Sequence, residues 1–159
     1  MKKRKLLCLV MAILFAITLV ACQAVSENQS GNESQTGESV ELSDIISFTE
    51  EQVIITVSSS YMEITQTTTL KDYMSKLKAD GGFDYTEKDG IITSINGKAN
   101  APDWSACWML YTSDGDFKDN SEWGTQITVG ETTCYSAVLG YASLPITDGC
   151  IYVWNYDKF

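Results

Sequence analysis

The sequence predicts an α+β roll of β-grasp type, a mixed sheet packed against one main helix. Three observations carry that expectation. Runs rich in β-branched and aromatic residues recur between residues 53 and 156, separated by turn signals. One segment, beginning near residue 70, has helical spacing. The order is two strands, a helix and then several strands, which suits a sheet that buries one face against a single helix.

Val53–Val57 is rich in β-branched residues and reads as the first strand, with Ser58–Ser60 as a turn and Tyr61–Thr65 as the second strand. In the helix, Leu70, Tyr73, Met74 and Leu77 fall at i, i+3, i+4 and i+7, one apolar stripe. Thr69 can cap it with Asp72 three residues on, and Gly81-Gly82 ends it. Ile91–Ile95 runs into Asn96-Gly97, a tight-turn pair. Ala106–Tyr111 reads as a strand stopped by Asp114-Gly115. Tyr135–Leu139 reads as another, and the last is Cys150–Tyr156, approached through Asp148-Gly149.

The chain begins with the basic cluster Lys2, Lys3, Arg4 and Lys5, followed by an apolar run from Leu6 to Ala21. A basic region, an apolar region and a small residue before a cut site make a secretory signal, and the run falls short of the roughly 20 residues a spanning helix needs. Leu19-Val20-Ala21-Cys22 resembles the bacterial lipobox. The resemblance implies cleavage after Ala21 and diacylglycerol on the Cys22 thiol, and two acyl chains suffice for stable anchoring. The expected location is extracytoplasmic, on the cell membrane through the N-terminal lipid. Residues 22–44 are Ser, Asn, Gln, Gly, Glu and Thr with few apolar groups, a flexible polar tether spanning roughly 25 Å. Residues 45–159 then form one modest domain.

Without residues 1–21 the chain has 7 Lys and Arg against 21 Asp and Glu, a net charge of −14. Such a surface disfavours nucleic acid, whose phosphates need cations, and close contact with anionic head groups. The chain has 0 histidines, which removes the commonest general base and metal ligand and the usual Ser or Cys triads. Cys107, Cys134 and Cys150 remain after the signal and the acylated Cys22, and two readings stand open for them: one disulfide plus a free thiol, or three buried thiols.

Four segments stand in order: the helix from Thr69 to Met74, Ile92–Lys98, the strand Trp108–Tyr111, and the tail Gly140–Gly149 leading into the final strand. Together they resemble the transcobalamin-like C-terminal domain, a β-grasp module found in vitamin carriers and in short bacterial surface proteins. The resemblance spans residues 50–159. It implies binding without catalysis, with cobalamin or another corrinoid as ligand. It also implies contact through the tryptophan-led strand, here Trp108, Met109, Leu110 and Tyr111.

Trp104 and Trp123 sit in polar loop sequence and suit planar ligands, sugars or protein hot spots. They join the strand residues as candidate ligand-binding positions, with a protein–protein or surface-adhesion module as the alternative function. Trp154 reads as core. No catalytic or metal-binding residue is expected: Asp114–Asn120 has alternating acids but Lys118 breaks the calcium pattern, and it reads as a solvated acidic turn. Asp103 and Glu122 as paired carboxylates of a glycosidase are a remote enzyme alternative, which nothing in their spacing supports.

Overall fold

The computed structural model describes residues 40–159; the expected signal peptide, Cys22 and nearly all of the expected tether lie outside the described residues. The fold is α+β and mainly β, with two antiparallel sheets and little helix. Helix α1 is Leu42–Ile45 and helix α2 is Leu70–Ala79. The strands are β1 Ile46–Phe48, β2 Gln52–Thr56, β3 Tyr85–Lys88, β4 Ile91–Ile95 and β5 Lys98–Ala99. They continue with β6 Ala106–Thr112, β7 Gln126–Val129, β8 Thr132–Ser136 and β9 Ile151–Lys158. The larger sheet has six strands in the order β1-β2-β9-β6-β8-β7, and the smaller has three in the order β3-β4-β5. Every ladder in both is antiparallel, so the expected mixed sheet is corrected.

Helix α2 forms where the spacing predicts. Leu70, Tyr73, Met74 and Leu77 are fully buried, and each such side chain contributes about 1.5–3 kcal/mol by leaving water. Thr69 and Asp72 make the reciprocal capping box, with the Thr69 N–H donating to Asp72 Oδ2 at 2.9 Å and the Asp72 N–H donating to Thr69 Oγ1 at 3.3 Å. Gly81, at φ +80°, takes the left-handed conformation that ends the helix. The helix stripe packs on one face of the six-stranded sheet, where Val53, Ile55, Tyr152 and Trp154 are buried, and the Trp154 indole N–H donates to Met74 Sδ at 3.4 Å. Tyr85, Ile92 and Ile95 of the smaller sheet close the same core.

Tyr61–Thr65 is not a strand. Both edges of β2 are occupied, by β1 and β9, so no edge is left for a hairpin partner. The segment instead turns on Ser58, whose carbonyl accepts from the N–H groups of Tyr61 and Met62, and Tyr61 packs edge-on against Tyr73. The expected strand at Tyr135–Leu139 lies earlier, at Thr132–Ser136, and β1, β3, β5 and β7 are additional strands. Val40 and Leu42, assigned by composition to the tether, pack against the core.

The opposite face of the large sheet has its own small core, Tyr111, Cys134 and Val153, flanked by Ile54, Met109, Ile127, Val129 and Ile151.

Candidate functional site

The Asn96-Gly97 turn joins β4 to β5 with φ of +46° and +82°, the backbone that tight hairpins require and that Asn-Gly supplies at low cost. Asn96 also holds the neighbouring loop: its Oδ1 accepts from the Asp84 N–H at 2.9 Å, and its own N–H donates to the Asp84 carbonyl at 2.8 Å. That loop, 81–84, follows the end of α2. A third turn, Phe48–Glu50, joins β1 to β2. Between these three turns opens a cleft of about 1130 Å³, lined by Phe48, Phe83, Ile95, Gly97, Lys98 and Trp108, among others. Phe48 stands at its rim, 56% exposed. Phe83 stacks on Tyr85, with ring centroids 5.5 Å apart.

Lys78, Asp84 and Lys98, three of the charged residues of this cleft, are held in ion pairs. Lys98 Nζ lies 3.0 Å from Glu51 Oε1 and 4.2 Å from the centroid of the Tyr156 ring. Lys158 reaches the same Glu51 oxygen at 3.0 Å, and the two ammonium groups, Lys98 foremost, hold the Glu51 carboxyl below its ordinary value. Lys78 Nζ lies 2.7 Å from Asp84 Oδ1, donates to the Tyr85 carbonyl at 2.7 Å, and lowers the Asp84 pKa. With these partners in place, the cleft offers a ligand aromatic and aliphatic surface together with the Glu50 carboxylate.

Trp108 lies below this cleft and is buried. Its indole N–H donates to the Lys98 carbonyl at 2.8 Å, and its ring meets Tyr156 edge-on at 5.3 Å. The four strand residues expected to act together are divided by the two-residue period of β6. Trp108 and Leu110 face the helix-side core, whereas Met109 and Tyr111 face the other. Tyr111 and Trp108 therefore cannot contact one ligand on one face of the sheet. The Tyr111 hydroxyl donates to Asp157 Oδ2 at 2.5 Å and lies 3.2 Å from Thr125 Oγ1. Burial, and next the hydrogen bond to Asp157, push its pKa up to about 12. Asn155 continues this polar row, donating to Asp157 and accepting from Gln52 Nε2 at 3.0 Å.

Trp104 and Trp123 are exposed, at 54% and 82%, and neither lines the cleft. Trp104 has φ +61°, a left-handed backbone that is uncommon for so bulky a residue. The turn is held by the Trp104 N–H to the Ala101 carbonyl at 3.0 Å, and by Asp103 Oδ1, which accepts from the Ser105 N–H and hydroxyl. Asp103 is thus engaged within its own loop, with its pKa lowered by Ser105.

Asp114 is buried, not solvated. It accepts from Thr147 Oγ1 at 2.7 Å and from the Asp116 N–H at 3.0 Å, fastening the end of β6 to the segment before β9. No group of three or more potential metal ligands occurs among the described residues. Cys107, Cys134 and Cys150 are all free, which favours the thiol reading over a disulfide. Burial raises the pKa of all three.

The sequence did not single out Phe48, Phe83 or Lys98. Of the residues the sequence did single out, Trp108, the Asn96-Gly97 turn and Gly81-Gly82 line the cleft. No protein-family model matches the chain, and neither the curated proteins nor the solved structures contain a match to it.

Proposed function

We propose that this chain is a lipid-anchored extracytoplasmic binding module whose ligand, large, flat and partly apolar, sits in the cleft between the Phe48–Glu50, 81–84 and Asn96-Gly97 turns. The observation that carries the reading is the cleft itself. Its volume of about 1130 Å³ lies just above the roughly 300–1,000 Å³ of pockets for drug-sized molecules, and its hydrocarbon is concentrated in Phe48, Phe83, Ile95 and Trp108. A corrinoid is the named candidate. It follows from the resemblance to the transcobalamin-like domain and its β-grasp-type roll, and a cleft of this size and aromatic content suits a macrocycle. The anchor follows from Leu19–Cys22, and no catalytic step is assigned to the module.

The test is a thermal melt with cobalamin and its precursors. A ligand at a hundredfold excess over its dissociation constant stabilises the native state by about 2.7 kcal/mol. Each kcal/mol moves the melting temperature of a domain near 100 residues by about 4–8 °C, so the expected shift is of order 10 °C. Phe48→Ala, at the exposed rim, should reduce the shift while leaving the unliganded melt nearly unchanged. An unchanged melt with millimolar corrinoid removes that ligand class.

A second reading is favoured by the exposure of Trp104 and Trp123 outside the cleft: a protein-binding or adhesion module anchored by these two indoles. Trp104→Ala and Trp123→Ala should then abolish adhesion and leave the response to corrinoid intact.

A further inference from the structure

Two ammonium groups converge on one carboxylate beside the cleft. Lys98 Nζ and Lys158 Nζ each lie 3.0 Å from the same Glu51 oxygen, Oε1. Two cations against one anion leave a positive charge in excess, in a chain that without residues 1–21 has 7 basic residues against 21 acidic. Of the three groups, Lys98 alone lines the cleft. The pair with Glu51 does not exhaust it. An ammonium has three N–H donors, and among the described residues Glu51 is the one acceptor that Lys98 Nζ meets. When the ammonium turns toward a ligand, Glu51 keeps Lys158.

The fold presents this ammonium at a fixed place. Lys98 sits in β5, paired with Ile95 across the Asn96-Gly97 turn, and its carbonyl accepts from the Trp108 indole N–H. Its ammonium lies 4.2 Å from the centroid of the Tyr156 ring, a cation–π distance. Tyr156 is held in turn: its hydroxyl donates to the Ala99 carbonyl at 2.9 Å, and its N–H to the Glu51 carbonyl at 2.8 Å. The Lys98 side chain is 30% exposed against 68% for Lys158, so salt screens it less. One carboxylate of the lining opposes an incoming anion: Glu50, which has no ion pair among the described residues.

We propose that the ligand of this cleft is an anion, a flat and partly apolar molecule whose carboxylate pairs with Lys98 Nζ while its rings lie against Phe48, Phe83 and Ile95. The inference rests on the cleft being the binding site and names the charge of its occupant. The acid group completes a set of two ammonium and two carboxylate groups, Lys98 and Lys158 with Glu51 and the ligand, so that the local excess of charge is cancelled. A neutral amide in the same place accepts a hydrogen bond from Lys98 but cancels no charge, and the charged pairing is the stronger. Among corrinoids the preference therefore falls on those with a peripheral carboxylate over those whose peripheral side chains are all amides.

The experiment uses the full chain in lipid nanodiscs, in equilibrium dialysis against empty nanodiscs, with two matched ligand pairs. One pair is naphthoate and naphthamide, a flat ring system with a carboxylate or its neutral amide. The other is cobalamin and the cobalamin acid in which one peripheral amide is hydrolysed. In each pair the acid should bind about fivefold more tightly, the upper worth of a partly exposed ion pair, and added salt should shrink the advantage. Lys98→Gln should abolish the advantage and leave the amides' affinity nearly unchanged, which also shows that the variant folds. Lys158→Gln, outside the lining, should reduce it, because Glu51 then has Lys98 alone. Glu50→Gln should enlarge it about twofold by removing a like charge. A pair whose acid and amide bind equally, at a site that Phe48→Ala weakens, overturns the anion and leaves the cleft reading standing. So does an acid preference untouched by Lys98→Gln. Preference for naphthoate without binding of either corrinoid supports the anion and removes the corrinoid. Binding that Phe48→Ala leaves intact, or no binding of any of the four ligands at millimolar concentration, overturns the anion and the cleft reading together.

Discussion

The indole N–H of Trp108, on the six-stranded sheet, donates at 2.8 Å to the carbonyl of Lys98, on the three-stranded sheet. A second tie runs beside it: Asn100 accepts from the Trp108 N–H through Oδ1 and donates to the Ile92 carbonyl through Nδ2 at 2.8 Å. The two sheets are thus fastened beneath the cleft by the Trp108 side chain and by that of Asn100, the residue just after β5. Trp108→Phe should keep most of the buried apolar surface but orphan the Lys98 carbonyl, costing about 1–3 kcal/mol in urea unfolding. Trp108→Ala should cost about 3–5 kcal/mol. Equal stability of Trp108→Phe and wild type would mean that the bond contributes nothing.

What the sequence made legible was local. Leu70 to Leu77 show their helix because the period is short, and Thr69 and Asp72 show its start because a capping box is complete within four residues. Asn96-Gly97 shows its turn for the same reason. The sheet order was not legible, because β9, last in the chain, is inserted between β2 and β6 by pairings such as Val53–Trp154 and Leu110–Trp154. That insertion also explains the failed strand at Tyr61–Thr65, whose place beside β2 was taken by residues some ninety positions away. The cleft was hidden for a related reason: Phe48, Phe83 and Lys98 come from three separate turns, each ordinary by itself.

The helix cap gives an acid-side prediction. Hydrogen bonds from the Thr69 N–H and hydroxyl hold the Asp72 pKa below its ordinary value. A carboxyl whose pKa is lower in the folded state stabilises the fold above its unfolded pKa, near 4, and loses that contribution as pH falls through the folded value. Asp72→Asn should reduce stability at pH 7 by about 0.3–1 kcal/mol, the worth of an exposed carboxylate in a helix's first turn, and remove part of the loss expected between pH 5 and pH 2. A mutant whose acid unfolding profile runs parallel to wild type would exclude the cap as a contributor.

Tyr111 gives the alkaline counterpart. Its folded pKa is pushed up to about 12, against about 10 for an ordinary tyrosine, first by burial and then by Asp157. Between those values the unfolded chain has released the phenolic proton while the folded chain keeps it, so stability falls as pH rises from about 10 to about 12. In Tyr111→Phe that portion of the fall should disappear from urea midpoints, although the burial-raised Tyr152 leaves some decline. An identical slope in both proteins would place Tyr111 in water rather than under the β7–β8 hairpin.

Thiol chemistry separates the three cysteines. Reduced or not, the unfolded domain should show three reactive groups from Cys107, Cys134 and Cys150, because none is bridged. In the native state Cys150, the half-buried one, should react first with a thiol reagent, and the fully buried Cys134 should wait for unfolding. Recovery of a single thiol before reduction would restore the disulfide reading.

The left-handed backbone at Trp104 makes the sharpest surface prediction. A non-glycine residue in this region costs roughly 1–2 kcal/mol through contact of Cβ with its own backbone, and glycine escapes the penalty. Trp104→Ala keeps the Cβ and so keeps the strain, while losing the partial burial of the ring. Trp104→Gly loses the same burial but relaxes the backbone, against which stands the greater freedom of glycine in the unfolded chain, of order 1 kcal/mol. The glycine variant should therefore match or exceed the alanine variant in stability, the reverse of the order at an ordinary position. Trp123→Ala, at the most exposed tryptophan, should stay within about 0.5 kcal/mol of wild type. If an adhesion partner uses the indole, Trp104→Gly and Trp104→Ala should lose it equally, because both lack the ring whatever their stability. An alanine variant clearly more stable than glycine would show that residue 104 is not held at positive φ in solution, and the strained presentation of this tryptophan would then fall.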